Sequence, residues 1–95
     1  MKGINEITET IENEVFKNRL HLNFDHTIFI NCTFENIPIL VLTCCHIEKC
    51  KFIGTRVVTL AVRFLGKSTI DGKEVNKDSV FKYTGDKQIF ILDNN

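Results

Sequence analysis

Apolar and polar positions change rhythm along the chain. Ile4, Ile7, Ile11, Val15 and Phe16 recur mostly at three- and four-residue steps, with Glu6, Glu9, Glu12 and Glu14 elsewhere around the stripe. That spacing is the signature of an amphipathic helix. Acidic residues early in the segment and Lys17 and Arg19 at its end also suit a helix dipole. The pattern predicts a helix over positions 4–19. From Leu20 onward the chain is rich in Ile, Val, Thr, Phe and Cys, residue types that suit pleated, half-buried surfaces, so strands are expected.

Within the strand region an internal repeat with a period of 18 stands out. The run Phe29 to Asn36 aligns with Ile47 to Gly54 and again with Leu65 to Gly72. Three columns stay apolar or small: Phe29/Ile47/Leu65, Cys32/Cys50/Ser68 and Phe34/Phe52/Ile70. A fourth, Asn36/Gly54/Gly72, holds the residue types that most easily adopt positive φ, which predicts a recurring corner. The same register stacks Leu40 on Val58, Leu42 on Leu60 and Cys44 on Val62. Short strands at a fixed period with corners in register are what a parallel β-solenoid needs, since each coil hydrogen-bonds to the next and like side chains stack inside.

The segments Phe29-x-x-Cys32-x-Phe34-x-Asn36 and Ile47-x-x-Cys50-x-Phe52-x-Gly54 resemble the right-handed parallel β-helix family, over residues 20–75. The resemblance implies a fold and carries no function by itself, because such scaffolds serve enzymes, tail proteins and inert supports alike. Pentapeptide-repeat proteins are a neighbouring possibility, but a five-residue period is absent. A left-handed hexapeptide helix also uses coils of about 18 residues. Phe34, Leu40, Phe52, Val58, Phe64 and Ile70 fall on its six-residue grid, but His46 and Asn76 break it and the expected glycines are missing, so it ranks second.

The fold class expected is therefore mainly β: a short parallel β-solenoid of about three 18-residue coils with an N-terminal capping helix and a C-terminal β-hairpin. With 95 residues there is room for one domain. It divides into a cap at 1–19, coils at 20–75 and a hairpin at 76–95. The hairpin is read from Val80 to Tyr83 and Ile89 to Leu92 around Thr84-Gly85-Asp86-Lys87.

Composition narrows the partners. Twelve basic residues balance twelve acidic ones, which removes the basic footprint of a nucleic-acid binder. No apolar run approaches the roughly 18 residues needed to cross a bilayer. The first residues, Met1 to Glu6, lack the apolar core of a secretory signal, so a reducing, cytoplasmic setting is expected, with no nucleic acid and no membrane as partner.

Two clusters offer candidate chemistry. Cys44, Cys45 and Cys50 lie near His46, with Cys32, His21 and His26 further off, but no Cys-x-x-Cys pair exists and neighbours on a strand point to opposite faces. The cysteines are expected to pack as small hydrophobes. His21, Asp25 and His26, or Cys45 with His46, offer acid, base or nucleophile, yet the same divergence separates the second pair. The expectation is no enzyme, no metal and no cofactor.

What remains is an outward flank. With Leu40, Leu42 and Cys44 inward, Ile39, Val41, Thr43 and Cys45 face out, and Val57, Thr59, Ala61 and Arg63 stack above them. An apolar flank of that kind is either covered by the chain itself or is an interface. The function expected is a non-enzymatic protein-binding module, a homo-oligomer or the partner of an unlike protein. Small size and the Ile/Lys/Asn-rich character are compatible with a phage or mobile-element inhibitor of a host or defence protein acting by steric occlusion. The alternative is a structural β-helix module of a phage tail or capsid, and a small metal protein or enzyme ranks behind both.

Overall fold

The computed structural model describes residues 7–59, 61–77, 81–84 and 87–92, the last two as backbone strands. Short strands separated by tight corners wind into a three-sided parallel solenoid. The first coil holds β1 (Glu9–Glu12), β2 (Val15–Lys17) and β3 (His21–Asp25). The second holds β4 (Thr27–Ile30), β5 (Thr33–Glu35) and β6 (Ile39–Thr43). β7 (Cys45–Glu48), β8 (Lys51–Ile53) and β9 (Val57–Thr59) form the third, and β10 (Val62–Leu65) and β11 (Ser68–Ile70) begin a fourth. The walls are sheet A, in the order β1-β4-β7-β10, and the parallel parts of sheet B (β2-β5-β8-β11) and sheet C (β3-β6-β9).

The corners explain why these residues fold this way. Asn13, Asn31 and Lys49 form one left-handed column, Asn18, Asn36 and Gly54 a second, and His26 and Cys44 belong to a third, all with φ between 50° and 59°. Asn and Gly tolerate this region best. The Asn columns also bond to themselves: Asn31 Nδ2 donates to Asn13 Oδ1 at 2.7 Å, and Asn36 Nδ2 to Asn18 Oδ1 at 3.4 Å. Each corner resets the in/out alternation of the strands, so that Phe16, Phe34 and Phe52 on one wall stack with ring centroids 5.1 and 5.0 Å apart. Phe29 meets Phe34 edge-on at 5.2 Å, and Leu40, Leu42, Ile47 and Val57 fill the rest of the core.

The expected N-terminal helix is replaced by strands. Positions 9–17 form β1 and β2, no helix occurs among the described residues, and the earlier part of the expected helix, before Ile7, lies outside them. The three-to-four-residue spacing of the stripe reflects two period-2 strands joined by a corner at Asn13, which brings Ile11 and Phe16 to the same interior. The solenoid therefore begins at β1, ahead of the expected boundary at residue 20.

The period of 18 holds except in the third coil. Leu40 pairs with Val57, Cys45 with Val62 and Ile47 with Phe64, each 17 apart, whereas Thr33 pairs with Lys51 and Lys51 with Thr69, 18 apart. One residue is lost at Thr55-Arg56, where the second coil has Ile37-Pro38-Ile39, and one is regained at Gly66-Lys67, where the third coil has only Lys49. Phe64, not Leu65, therefore enters the core.

After Ile70 the chain reverses at Asp71-Gly72, φ 50° and 82°, the two positive values of a tight hairpin turn. β12 (Lys73–Val75) then pairs antiparallel with β11. β13 (Phe81–Thr84) and β14 (Lys87–Leu92) form the expected C-terminal hairpin, and β14 adds antiparallel to β9. These strands extend sheets B and C beyond the last coil.

Candidate functional site

The predicted flank does not assemble as one surface. Ile39, Val41 and Thr43 share the outer face of sheet C, Ile39 at 44% exposure, with Val58 beside Val41. Cys45, Val57 and Thr59 lie in the core at 0%, 0% and 1% exposure, contrary to the expectation that they face out. Two register facts reverse them. Cys44 occupies the corner and turns Cys45 inward, and the 17-residue step places Val57 under Leu40. Ala61 sits at the corner between sheets C and A, and Arg63 lies exposed on the outside of sheet A. What is left is a narrow strip, not an apolar flank.

The candidate chemistry does not converge either. His21 and Asp25 occupy opposite ends of β3, about 13 Å apart at 3.3 Å per residue. His26 Nδ1 lies 2.5 Å from Asp25 Oδ1, a pair at one corner with His21 too distant to join it. Cys45 points into the core while its neighbour His46 takes the outward position of β7. Among the described residues no group of three His, Cys, Asp or Glu side chains is placed to hold a metal ion. A shallow groove of about 300 Å³, lined by Asn31, Lys49, Lys51, Lys67, Thr69 and Glu74, lies beside the corner that holds the extra residue at Gly66-Lys67.

The cysteines have a structural use that the sequence did not disclose. Each buried one follows a corner residue and directs its S–H between two carbonyls. Cys50 Sγ lies 3.4 Å from the Glu48 oxygen and 3.5 Å from that of Phe29 in the coil before. Cys32 does the same with Ile30 and Ile11, Cys45 with Thr43 and Phe24, and Thr55 repeats the arrangement through a hydroxyl, at 3.1 Å to both Ile53 and Phe34. The recurrence of a small thiol or hydroxyl directly after an Asn, Lys, Cys or Gly corner was the available signal.

Burial pushes the Cys45 thiol above its ordinary value and that of Cys50 up to about 11. Thiols held protonated in this way are poor nucleophiles and poor metal ligands at neutral pH. They also make folding pH-dependent. Because the folded-state value of Cys50 lies above the unfolded one, its contribution is complete below pH 9 and is lost as pH rises towards 11. Stability in urea should fall by about 1.5 kcal/mol between pH 9 and 10.5 from this residue alone. Cys50→Ser, which keeps a donor of the right size, should remove that part of the fall while costing roughly 1 kcal/mol or less at pH 7. An unchanged alkaline profile in the variant would contradict the assignment.

The largest asymmetry lies between the two ends. At the C-terminal end the outermost strands among the described residues are β10 in sheet A and, in sheets B and C, β12 and β13, which belong to antiparallel additions to the coils. At the N-terminal end β1, β2 and β3 are all edge strands among the described residues. Ile11, Phe16, Leu22 and Phe24, the first rung of the core, are only partly buried there, and Val15 and Leu20 are 59% and 84% exposed. Charge follows the same axis: positions 7–48 carry two basic and six acidic side chains, positions 49–77 seven basic and two acidic. The zero net charge is a cancellation between two poles. No family model matches the chain, and no curated protein or solved structure matches it either.

Proposed function

We propose that the protein is a non-enzymatic protein-binding module that engages its partner end-on, by strand addition at the N-terminal end of the solenoid. The observation that carries this reading is the contrast, among the described residues, between a C-terminal end where sheets B and C finish in added antiparallel strands and an N-terminal end where the coil's own three strands are the edges around a partly exposed apolar rung. Unpaired edges template pairing with another chain, and proteins that do not use them generally blunt or cover them. A rigid three-sided end set against another protein would act by occlusion. The alternative of a β-helix module stacked within a larger assembly uses the same edges.

Two variants separate the end from the flank. Asn13 N–H donates to Ile30 O across the β1–β4 ladder, so by alternation the N–H groups of Thr10 and Glu12 point away from it, towards the open edge. Thr10→Pro removes one of these donors and leaves the ladder to β4 intact. Affinity capture from lysate of the source cells, with wild type, Thr10→Pro and Val41→Glu in parallel, should give a partner that Val41→Glu retains and Thr10→Pro loses at least tenfold. The reverse pattern would place docking on the sheet C strip and refute the end-on reading.

A further inference from the structure

We infer that the N-terminal end pairs with a second copy of itself through one two-fold axis crossing the solenoid. The inference rests on the reading of that end as the docking surface and names its occupant. Head-to-tail stacking is disfavoured, because sheets B and C end in the antiparallel additions β12 and β13–β14, so a following coil would not continue the parallel ladder on all three walls. Head-to-head pairing meets no such cap among the described residues.

The register is decided by parity. Asn13 N–H and Asn18 N–H donate into the second coil, to Ile30 and Glu35, and His26 N–H to Thr43. Alternation then leaves the outward donors on Thr10 and Glu12 in β1, Val15 and Lys17 in β2, and His21, Asn23 and Asp25 in β3. A two-fold axis through the corner after Asn13 sets β1 of one copy antiparallel to β2 of the other. Glu12 then faces Val15, Ile11 faces Phe16 and Thr10 faces Lys17. Every residue with a free donor meets another with a free donor, and the two core-facing side chains, Ile11 and Phe16, meet each other. Displacing the pairing by one residue breaks both matches.

The same axis leaves the coil on the far side near Asn23, half a coil away. There β3 faces itself: Asn23 opposite Asn23, His21 opposite Asp25, Leu22 opposite Phe24. Donors again meet donors, and the core-facing Leu22 and Phe24 again meet. A tilt between the two solenoid axes takes up the rise of about 4.8 Å per coil. The interface is isologous and closed, which suits a dimer and stops growth into a filament.

Charge sets the sign of the salt response. The first coil, positions 7–26, carries four acidic and two basic side chains, so two such ends repel at long range. Self-pairing should therefore strengthen as salt screens them, whereas an unlike basic partner would be held less tightly.

The test is the mass of the purified full chain by light scattering across a dilution series, at low and at 0.5 M salt. A dimer whose dissociation constant falls at least threefold at the higher salt is expected. Thr10→Lys, which places like charges opposite at Lys17, should weaken it at least tenfold, and the double variant T10K/K17E should restore it to within threefold, with thermal unfolding of each confirming the fold. A monomer at all concentrations overturns the dimer while leaving end-on capture of an unlike protein to stand or fall separately. A dimer indifferent to T10K, or not rescued by the swap, overturns the register. A monomer that dimerises only when positions 1–6 are removed also overturns it, showing that the chain covers its own end.

Discussion

Phe34→Ala should cost about 3–5 kcal/mol, the range for deleting a fully buried aromatic ring. For a domain whose total stability is expected near 5–15 kcal/mol, that is enough to leave a large unfolded fraction at 37 °C. Phe34 is fully buried and sits in the middle of the ring stack, 5.1 Å from Phe16 and 5.0 Å from Phe52, with Phe29 edge-on at 5.2 Å. Its removal leaves a void between two coils that hydrogen bonds on both sides of β5 hold at fixed spacing, so collapse is restricted. Phe16→Ala provides the internal comparison. Phe16 belongs to the same column but lies on the first rung and is only partly buried, so its loss should be clearly smaller in urea unfolding of the monomer. Equal losses at the two positions would mean that the first rung is covered as fully as the second.

The second large effect is at a corner. Gly54→Val should destabilise by about 2 kcal/mol or more, because φ there is 55° and a β-branched residue is poorly tolerated in the left-handed region. A Cβ would also lie 3.1 Å from Asn36 Oδ1, so the amide column must give way. Gly54→Asn should cost less than about 1 kcal/mol, since Asn18 and Asn36 already hold the same corner at φ 58° and 55° and pair through their side chains. The contrast isolates backbone conformation from side-chain size, and similar losses for Val and Asn would count against a corner role.

Much of the architecture is legible in the sequence because side chains stack at a constant period. Phe34 over Phe52 and Cys32 over Cys50 announce the coil, and Asn36 and Gly54 its corner. The first coil misleads since two short strands and a tight corner imitate helical spacing, although Asn13 and Asn18 stand one full period before Asn31 and Asn36 and already carry the repeat. The flank misleads for a related reason. A single residue lost near Arg56 turns Val57 and Thr59 inward, and a corner at Cys44 does the same to Cys45, so strict alternation from Leu40 gives the wrong face. The three strand edges of the first coil are hidden altogether, because an expected helical cap leaves no edge to consider. Neutral overall charge conceals two poles for the simple reason that a sum discards position.

The claim that the molecule acts through its open end is tested most directly by residue-resolved amide exchange, below and above the concentration at which the chain associates. The account predicts that the amides of Thr10, Glu12, Val15, Lys17, Asn23 and Asp25, whose N–H groups face outward from the first coil, exchange rapidly in dilute solution and become at least tenfold protected on association. An associated state in which those six still exchange as fast as in the free chain would contradict it.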